Sequence, residues 1–107
     1  MTVIKLTEME KIRNIHPGEI LYEEFLLPLN ISAYKLSKEL NIPQTRISEI
    51  IKGNRRITAD TALRLSRYFG NSAKFWLGIQ DDFDIEEEEI QKKAELNAIK
   101  QYTDHAA

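Results

Sequence analysis

The run Ser32-Ala-Tyr-Lys-Leu-Ser-Lys-Glu-Leu-Asn-Ile-Pro-Gln-Thr-Arg-Ile-Ser-Glu-Ile-Ile-Lys-Gly53 decides the fold, because it reads as two short helices joined by a tight turn. Ser32 is a natural N-cap: its hydroxyl can accept from a backbone N–H that the first turn leaves without a partner. Ala33, Leu36, Ser37 and Leu40 then recur at helical spacing and share one face. Asn41 stands where the chain must turn, and asparagine tolerates a left-handed backbone better than most residues. Pro43 suits the first position of the next helix, where a missing N–H costs nothing. On that helix Ile47, Ile50 and Ile51 share a narrow face, and a step of about 100° per residue sends Thr45, Ser48, Glu49 and Lys52 to the other side. Gln44 and Arg46 flank the outer stripe near the helix start, and Gly53 supplies the stop. The pair buries isoleucine and offers Gln, Thr, Arg, Ser, Glu and Lys, side chains suited to hydrogen-bonding base edges.

Downstream, Asn54-Arg55-Arg56-Ile57 puts two adjacent arginines in a loop just after this polar helix, a good place to grip a phosphate backbone. An exposed basic turn without a partner would carry the same residues. Thr58 then caps a further helix, with Ile57 and Ala62 spaced as a hydrophobic staple. Ala62, Leu63, Leu65, Ser66 and Phe69 line its inner faces, and Gly70 ends it. Ser72 caps a fifth helix carrying Phe75, Trp76, Leu77 and Ile79. Its aromatic pair fits a core, and for a sole Trp an interface is the competing use. Upstream, His16-Pro17-Gly18-Glu19 opens the first helix, with His16 as cap, Pro17 near the first position and Glu19 favourable to the helix dipole. Ile20, Leu21, Phe25 and Leu26 or Leu27 give its apolar stripe, which Pro28 ends or bends.

The flanks differ from this centre. Residues 1–15 show no sustained period and read as an arm with a strand-like piece at Thr2–Leu6. Residues 81–107 read as an acidic helix and tail, in which Asp84 and Glu87 resemble a capping arrangement and Ile90, Ala94 and Asn97 form a stripe too thin to stand without a partner. The expected organisation is an arm over 1–15, a five-helix domain over 16–80 and an additional acidic C-terminal helix and tail over 81–107.

Composition sets the limits. A chain of 107 residues is the size of one domain. With no Cys there is neither a disulfide framework nor a thiolate metal site, which suits a reducing cytoplasm. No apolar run approaches the roughly 20 residues of a membrane span, and no signal pattern opens the chain. The net charge of −2 hides a dipolar layout: residues 30–78 hold nine basic and three acidic side chains, residues 79–107 three and nine. A surplus of +6 over residues 30–78, the two-helix centre with its neighbours, can serve as an electrostatic footprint for phosphates. An enzyme is not expected. His16 and His105 stand at opposite ends, no Gly-rich phosphate loop exists, and no catalytic residue or cofactor site is assigned. Asp81-Asp82-Phe83-Asp84 lacks the spacing of a calcium loop, so no metal is expected either. A protein-interaction module using only the acidic tail would leave the polar helix and Arg55-Arg56 unexplained.

Several separate pieces together resemble the HigA/VapI-type antitoxins of the xenobiotic-response-element (lambda-repressor-like) helix-turn-helix superfamily: His16-Pro-Gly-Glu-Ile-Leu21, Gly53-Asn-Arg-Arg-Ile-Thr58, Asp60-Thr-Ala-Leu-Arg-Leu65, Phe69-Gly70, and Phe75-Trp-Leu-Gly-Ile-Gln80 with Phe83-Asp-Ile85. The resemblance covers about residues 15–86. It implies an all-α, five-helix DNA-binding domain, a homodimer on a palindromic operator in its own promoter, and neutralisation of a small basic mRNA-cleaving toxin of the HigB class. The alternative is a stand-alone transcriptional repressor without a toxin. By the same resemblance, base contacts fall to Gln44, Thr45, Arg46, Ser48 and Glu49. Phosphate contacts fall to Ser32, Lys52, Asn54, Arg55 and Arg56. Ser37 and Asn41 depart from the small Ala and Gly usual in the turn motif, and Glu49 would either accept from a cytosine amino group or repel phosphate.

Overall fold

In a computed structural model, residues 13–104 are described; the Thr2–Leu6 piece and His105 lie outside them. The described chain is all helical. α1 spans Pro17–Ile20, a π-helical stretch Leu21–Leu26 and Leu27–Leu29 without interruption. α2 is Ala33–Leu40, α3 Gln44–Ile51, α4 Ala59–Phe69, α5 Ala73–Gln91 and α6 Lys93–Asn97.

The π stretch follows from Pro28. In ordinary α register its ring would crowd the carbonyl four residues back, and it has no N–H to give. The turn widens ahead of it, with the Leu27 N–H reaching the Tyr22 carbonyl. The rod then stops at Asn30, which is left-handed (φ 55°, ψ 46°). α2 stops in the same way at Asn41 (φ 58°, ψ 49°). There the Asn41 N–H donates to the Lys38 carbonyl and the Ile42 N–H to the Ser37 carbonyl, so two acceptors of the last turn are satisfied by the turn itself. The two departures from the small-residue turn pattern are thus accommodated: Asn41 adopts the turn, and buried Ser37 donates its hydroxyl to the Tyr34 carbonyl at 2.7 Å.

Some local expectations are corrected. Pro43 is not the first helical residue of α3 but its extended cap (φ −62°, ψ 143°), and its carbonyl accepts from the Arg46 N–H. Thr58 precedes α4 with its carbonyl, not its hydroxyl, taking a first-turn N–H, from Ala62. Leu63 does not line an inner face; it is 48% exposed. Asp84 does not start a helix, because α5 passes through it unbroken: the residues from Asp81 to Glu89 include no Gly or Pro to stop the helix that Ser72 caps.

The core gathers Leu21 and Leu26 from α1, Leu36 and Leu40 from α2, Ile47 and Ile50 from α3, Ile57 from the loop, Ala62 and Leu65 from α4, and Trp76 from α5. Of the two α1 alternatives it is Leu26 that packs, while Leu27 is exposed. Trp76 is fully buried, its indole N–H donating to Asn71 Oδ1 at 2.9 Å, with the Phe25 ring 4.8 Å away. The sole tryptophan is therefore core and not interface. Beyond the core, α5 continues as an exposed rod carrying Ile85 and Ile90.

The opening His-Pro-Gly-Glu motif has a mechanical meaning. His16 caps α1 by accepting the Gly18 N–H on Nδ1 at 2.9 Å, while Arg13 grips Glu19 with two bonds of 2.8 and 3.0 Å. Gly18 itself is pressed on the end of α3: a Cβ there would sit 1.7 Å from the Ile50 carbonyl oxygen and 2.5 Å from its carbon. Both neighbours are backbone, so neither can rotate away.

Two outcomes follow from this corner. Glycine inside a helix ordinarily costs about 1 kcal/mol relative to alanine, so propensity alone predicts that Gly18→Ala stabilises. The clash predicts the opposite, a loss of about 2–3 kcal/mol, visible as a fall of roughly 10–20 °C in Tm by circular dichroism. The second outcome concerns pH. Burial holds the His16 imidazole below its ordinary value, outweighing the pull of the Asp84 and Glu19 carboxylates. The unfolded chain therefore binds this proton more readily. The stability carried by neutral His16 is complete above about pH 6.5 and is lost as pH falls through that value. Urea midpoints measured at pH 7.5 and 5.5 should drop for the wild type and stay nearly level for His16→Asn, which caps without titrating in that window. The carboxylate pairs lose their contribution only at lower pH, below about 4.

Candidate nucleic-acid interface

α3 has the two faces its sequence requires. Ile47 and Ile50 are fully buried and Ile51 partly so, whereas Gln44 and Thr45 are exposed and Ser48 and Glu49 half-exposed. The base-reading candidates therefore share the outward side of one eight-residue helix. Arg46 differs from the others. Its Nη1 donates to Asp60 Oδ2 at 2.7 Å and lies 3.4 Å from Thr61 Oγ1, so its guanidinium leans on the first turn of α4. Arg64 reaches the same carboxylate through Nε at 3.0 Å and the Leu40 carbonyl through Nη1 at 2.8 Å. Hydrogen bonds from Arg46 and then Arg64 hold the Asp60 carboxyl below the usual carboxylate range, so it stays charged.

The phosphate candidates lie at the cap of α2 and at the end of α3 with the loop that follows. Ser32 is exposed and its Oγ accepts the Lys35 N–H at 3.0 Å, which leaves the hydroxyl proton for an acceptor outside the chain. Lys52, Asn54 and Arg55 are exposed at the end of α3. Gly53, left-handed at φ 83°, closes that end: its N–H donates to the Ile50 carbonyl, and the Asn54 N–H to the Glu49 carbonyl. Arg56, by contrast, is held by Asp84 through a 2.5 Å bond from Nη2. The structure thus places six of the ten candidates on α3 and at its end, three in the loop after it, and Ser32 at the cap of α2. Two of them, Arg46 and Arg56, are already bonded to carboxylates of their own chain.

What sequence reading did not find is the support beneath the loop. Gln80 is buried, its Oε1 accepting the Ile57 N–H at 2.7 Å and its Nε2 donating to Asp84 Oδ1 at 2.9 Å. Asp84 would be raised by burial, but the bonds from Arg56 and Gln80 outweigh this and its carboxyl sits low. The His16 ring stands 4.8 Å from that of Phe83, edge to face, beside the same loop. Asn14 donates to the Phe83 carbonyl at 2.8 Å and to Glu87 at 3.2 Å. The only sequence signal was the Trp76-Leu-Gly-Ile-Gln80 spacing, which puts Gln80 one turn after the core tryptophan. No group of three or more potential metal ligands is formed among the described residues. Nor is any helix among them long and apolar enough to cross a membrane.

Comparison with known proteins agrees with this geometry. The sequence profile described as helix-turn-helix matches residues 23–76. Virulence-associated protein I of Dichelobacter nodosus is 52% identical over 85 residues, 79% of this chain and 78% of that protein. A HigA-family addiction-module antidote protein from Coxiella burnetii superposes with a TM-score of 0.80 at 44% identity, over 84% of this chain and 99% of that one. The Pseudomonas aeruginosa antitoxin HigA, solved with the higBA promoter, gives a TM-score of 0.81 at 35% identity, over 85% of this chain and all of that one.

Proposed function

We propose that this chain, which belongs to the helix-turn-helix family and to its HigA-type branch, is the DNA-binding antitoxin of a toxin–antitoxin pair and represses its own promoter. The observation that carries the reading is the two-faced α3, anchored on Ile47 and Ile50, preceded by the Ser32-capped α2 and followed by the Asn54–Arg56 loop. In a homodimer, two copies of α3 would enter successive major grooves about 34–36 Å apart. Gln44, Thr45, Arg46, Ser48 and Glu49 would then face base edges. Ser32, Lys52, Asn54, Arg55 and Arg56 would meet the phosphates on either side and set the register.

Most of the affinity would come from the basic surplus and would fall steeply with salt. The protein-binding half of the reading falls to the exposed, carboxylate-rich part of α5 and to α6, which carry Ile85, Ile90 and Leu96 on their surface. A small basic toxin matches that chemistry, and the cytoplasm, where the operon is transcribed, is where the pair would meet.

Binding to the chain's own upstream DNA should weaken across all sequences in Arg55→Ala. Fluorescence anisotropy at several salt concentrations should show the slope of log K against log salt shallower by about 1 for each phosphate that loses its cation. Arg56→Ala should cost less, since Arg56 gives up its bond to Asp84 when it turns to phosphate. A wild-type chain whose binding ignored salt would sink the mechanism. Co-expression with the product of the neighbouring reading frame tests the antitoxin half. Full-length protein should co-purify with it, and a chain ending at Gln80 should not; a partner retained by that shortened chain would rule out the tail as the gripping element.

A further inference from the structure

The Arg46–Asp60 pair has a consequence that recognition by α3 alone does not contain. An arginine on an exposed helix face ordinarily samples many rotamers, and the entropy of fixing it is lost on binding. Arg46 is not in that state. Its Nη1 is bonded to Asp60 and faces Thr61, and only a quarter of its side chain is exposed. Asp60 is itself fixed from the other side by Arg64, whose second bond reaches the Leu40 carbonyl at the turn between α2 and α3. Turn, α3 and α4 thus meet at one carboxylate. A guanidinium has five donors, and engaging Nη1 leaves the Nε–Nη2 edge, whose two parallel N–H groups match the paired acceptors of guanine.

We propose that Asp60 is a positioning residue that sets the sequence preference of the DNA interface by holding Arg46 in its base-reading rotamer, an inference resting on the DNA-binding reading above. Asp60 touches no base in this scheme. As a negative charge close to the DNA surface it lowers affinity for any duplex, and it raises the difference between right and wrong sequences.

That opposition makes the test sharp. Wild-type protein is used to select duplexes from a randomised pool, and the selected consensus and a scrambled duplex are then titrated with each variant. Arg46→Ala should blur one position in each half-site. Asp60→Asn should blur the same position, lowering the consensus-to-scrambled ratio about tenfold, within the range a bidentate base contact carries. Its affinity for the scrambled duplex should hold or rise. In the Arg46→Ala background Asp60→Asn should change the ratio less than about twofold, the signature of two residues acting as one. Asp60→Glu keeps the charge and displaces it by one methylene. It should blur that same position, and so decides the matter even if the Asn variant folds poorly. Unchanged preference at the Arg46 position in Asp60→Glu, or a parallel shift of both duplexes in Asp60→Asn, overturns the inference. A wild type that selects no sequence at all overturns the DNA-binding reading first, and this inference with it.

Discussion

The contact on which the rest depends is between two backbones: Gly18 in the first turn of α1 against the Ile50 carbonyl at the end of α3. A helix can be held by its apolar face alone and still slide or roll by a fraction of an ångström. A carbonyl seated on a bare Cα cannot, because there is no side chain between the two to yield. The same carbonyl accepts the Gly53 N–H that closes α3, so the end of α3, its cap and the start of α1 are fixed together. His16 caps α1 just ahead of this point, and its ring lies 3.8 Å from where a Gly53 Cβ would stand. The His-Pro-Gly-Glu motif is thus a seat for α3.

Around that seat the charged groups are arranged in pairs that cross elements. Asp60 joins α3 to α4, Asp84 joins the loop after α3 to α5, and Glu19 joins α1 to the segment before it. Each is too exposed to add much stability by itself. Their effect is on geometry: arginines that would otherwise wander are given one place to be. In the same arrangement the basic loop and the acidic helix, which look like separate halves of a dipolar sequence, are in direct contact through Arg56 and Asp84.

The helices of the core were legible because each carries its own stop. Asn41, Gly53 and Gly70 adopt the left-handed backbone that ends α2, α3 and α4, and His16, Ser32 and Ser72 supply side-chain caps; α1 instead runs through Pro28 to a left-handed stop at Asn30 that its spacing did not mark. The isoleucines of α3 and the leucines of α2 showed their faces through spacing. What could not be read was anything decided by a partner distant in sequence. Arg46 and Arg56 look alike as exposed cations until Asp60 and Asp84 stand beside them. Gln80 looks like a polar residue in an aromatic segment until the Ile57 N–H turns out to need an acceptor. Asp84 was misplaced for the opposite reason, since local capping chemistry pointed to a helix start that an already running helix made unnecessary.

The unbroken course of α5 has one further consequence. Trp76, fixed in the core, and Ile90, on the free part of the rod, belong to a single helix with no hinge between them. The exposed residues of the rod are therefore phase-locked to the helical core from which α5 emerges. Adding one residue after Asp84 would lengthen the rod by only about 1.5 Å but would swing everything beyond it through about 100°. For anything bound at the far end, the angular setting of the rod would matter more than its reach.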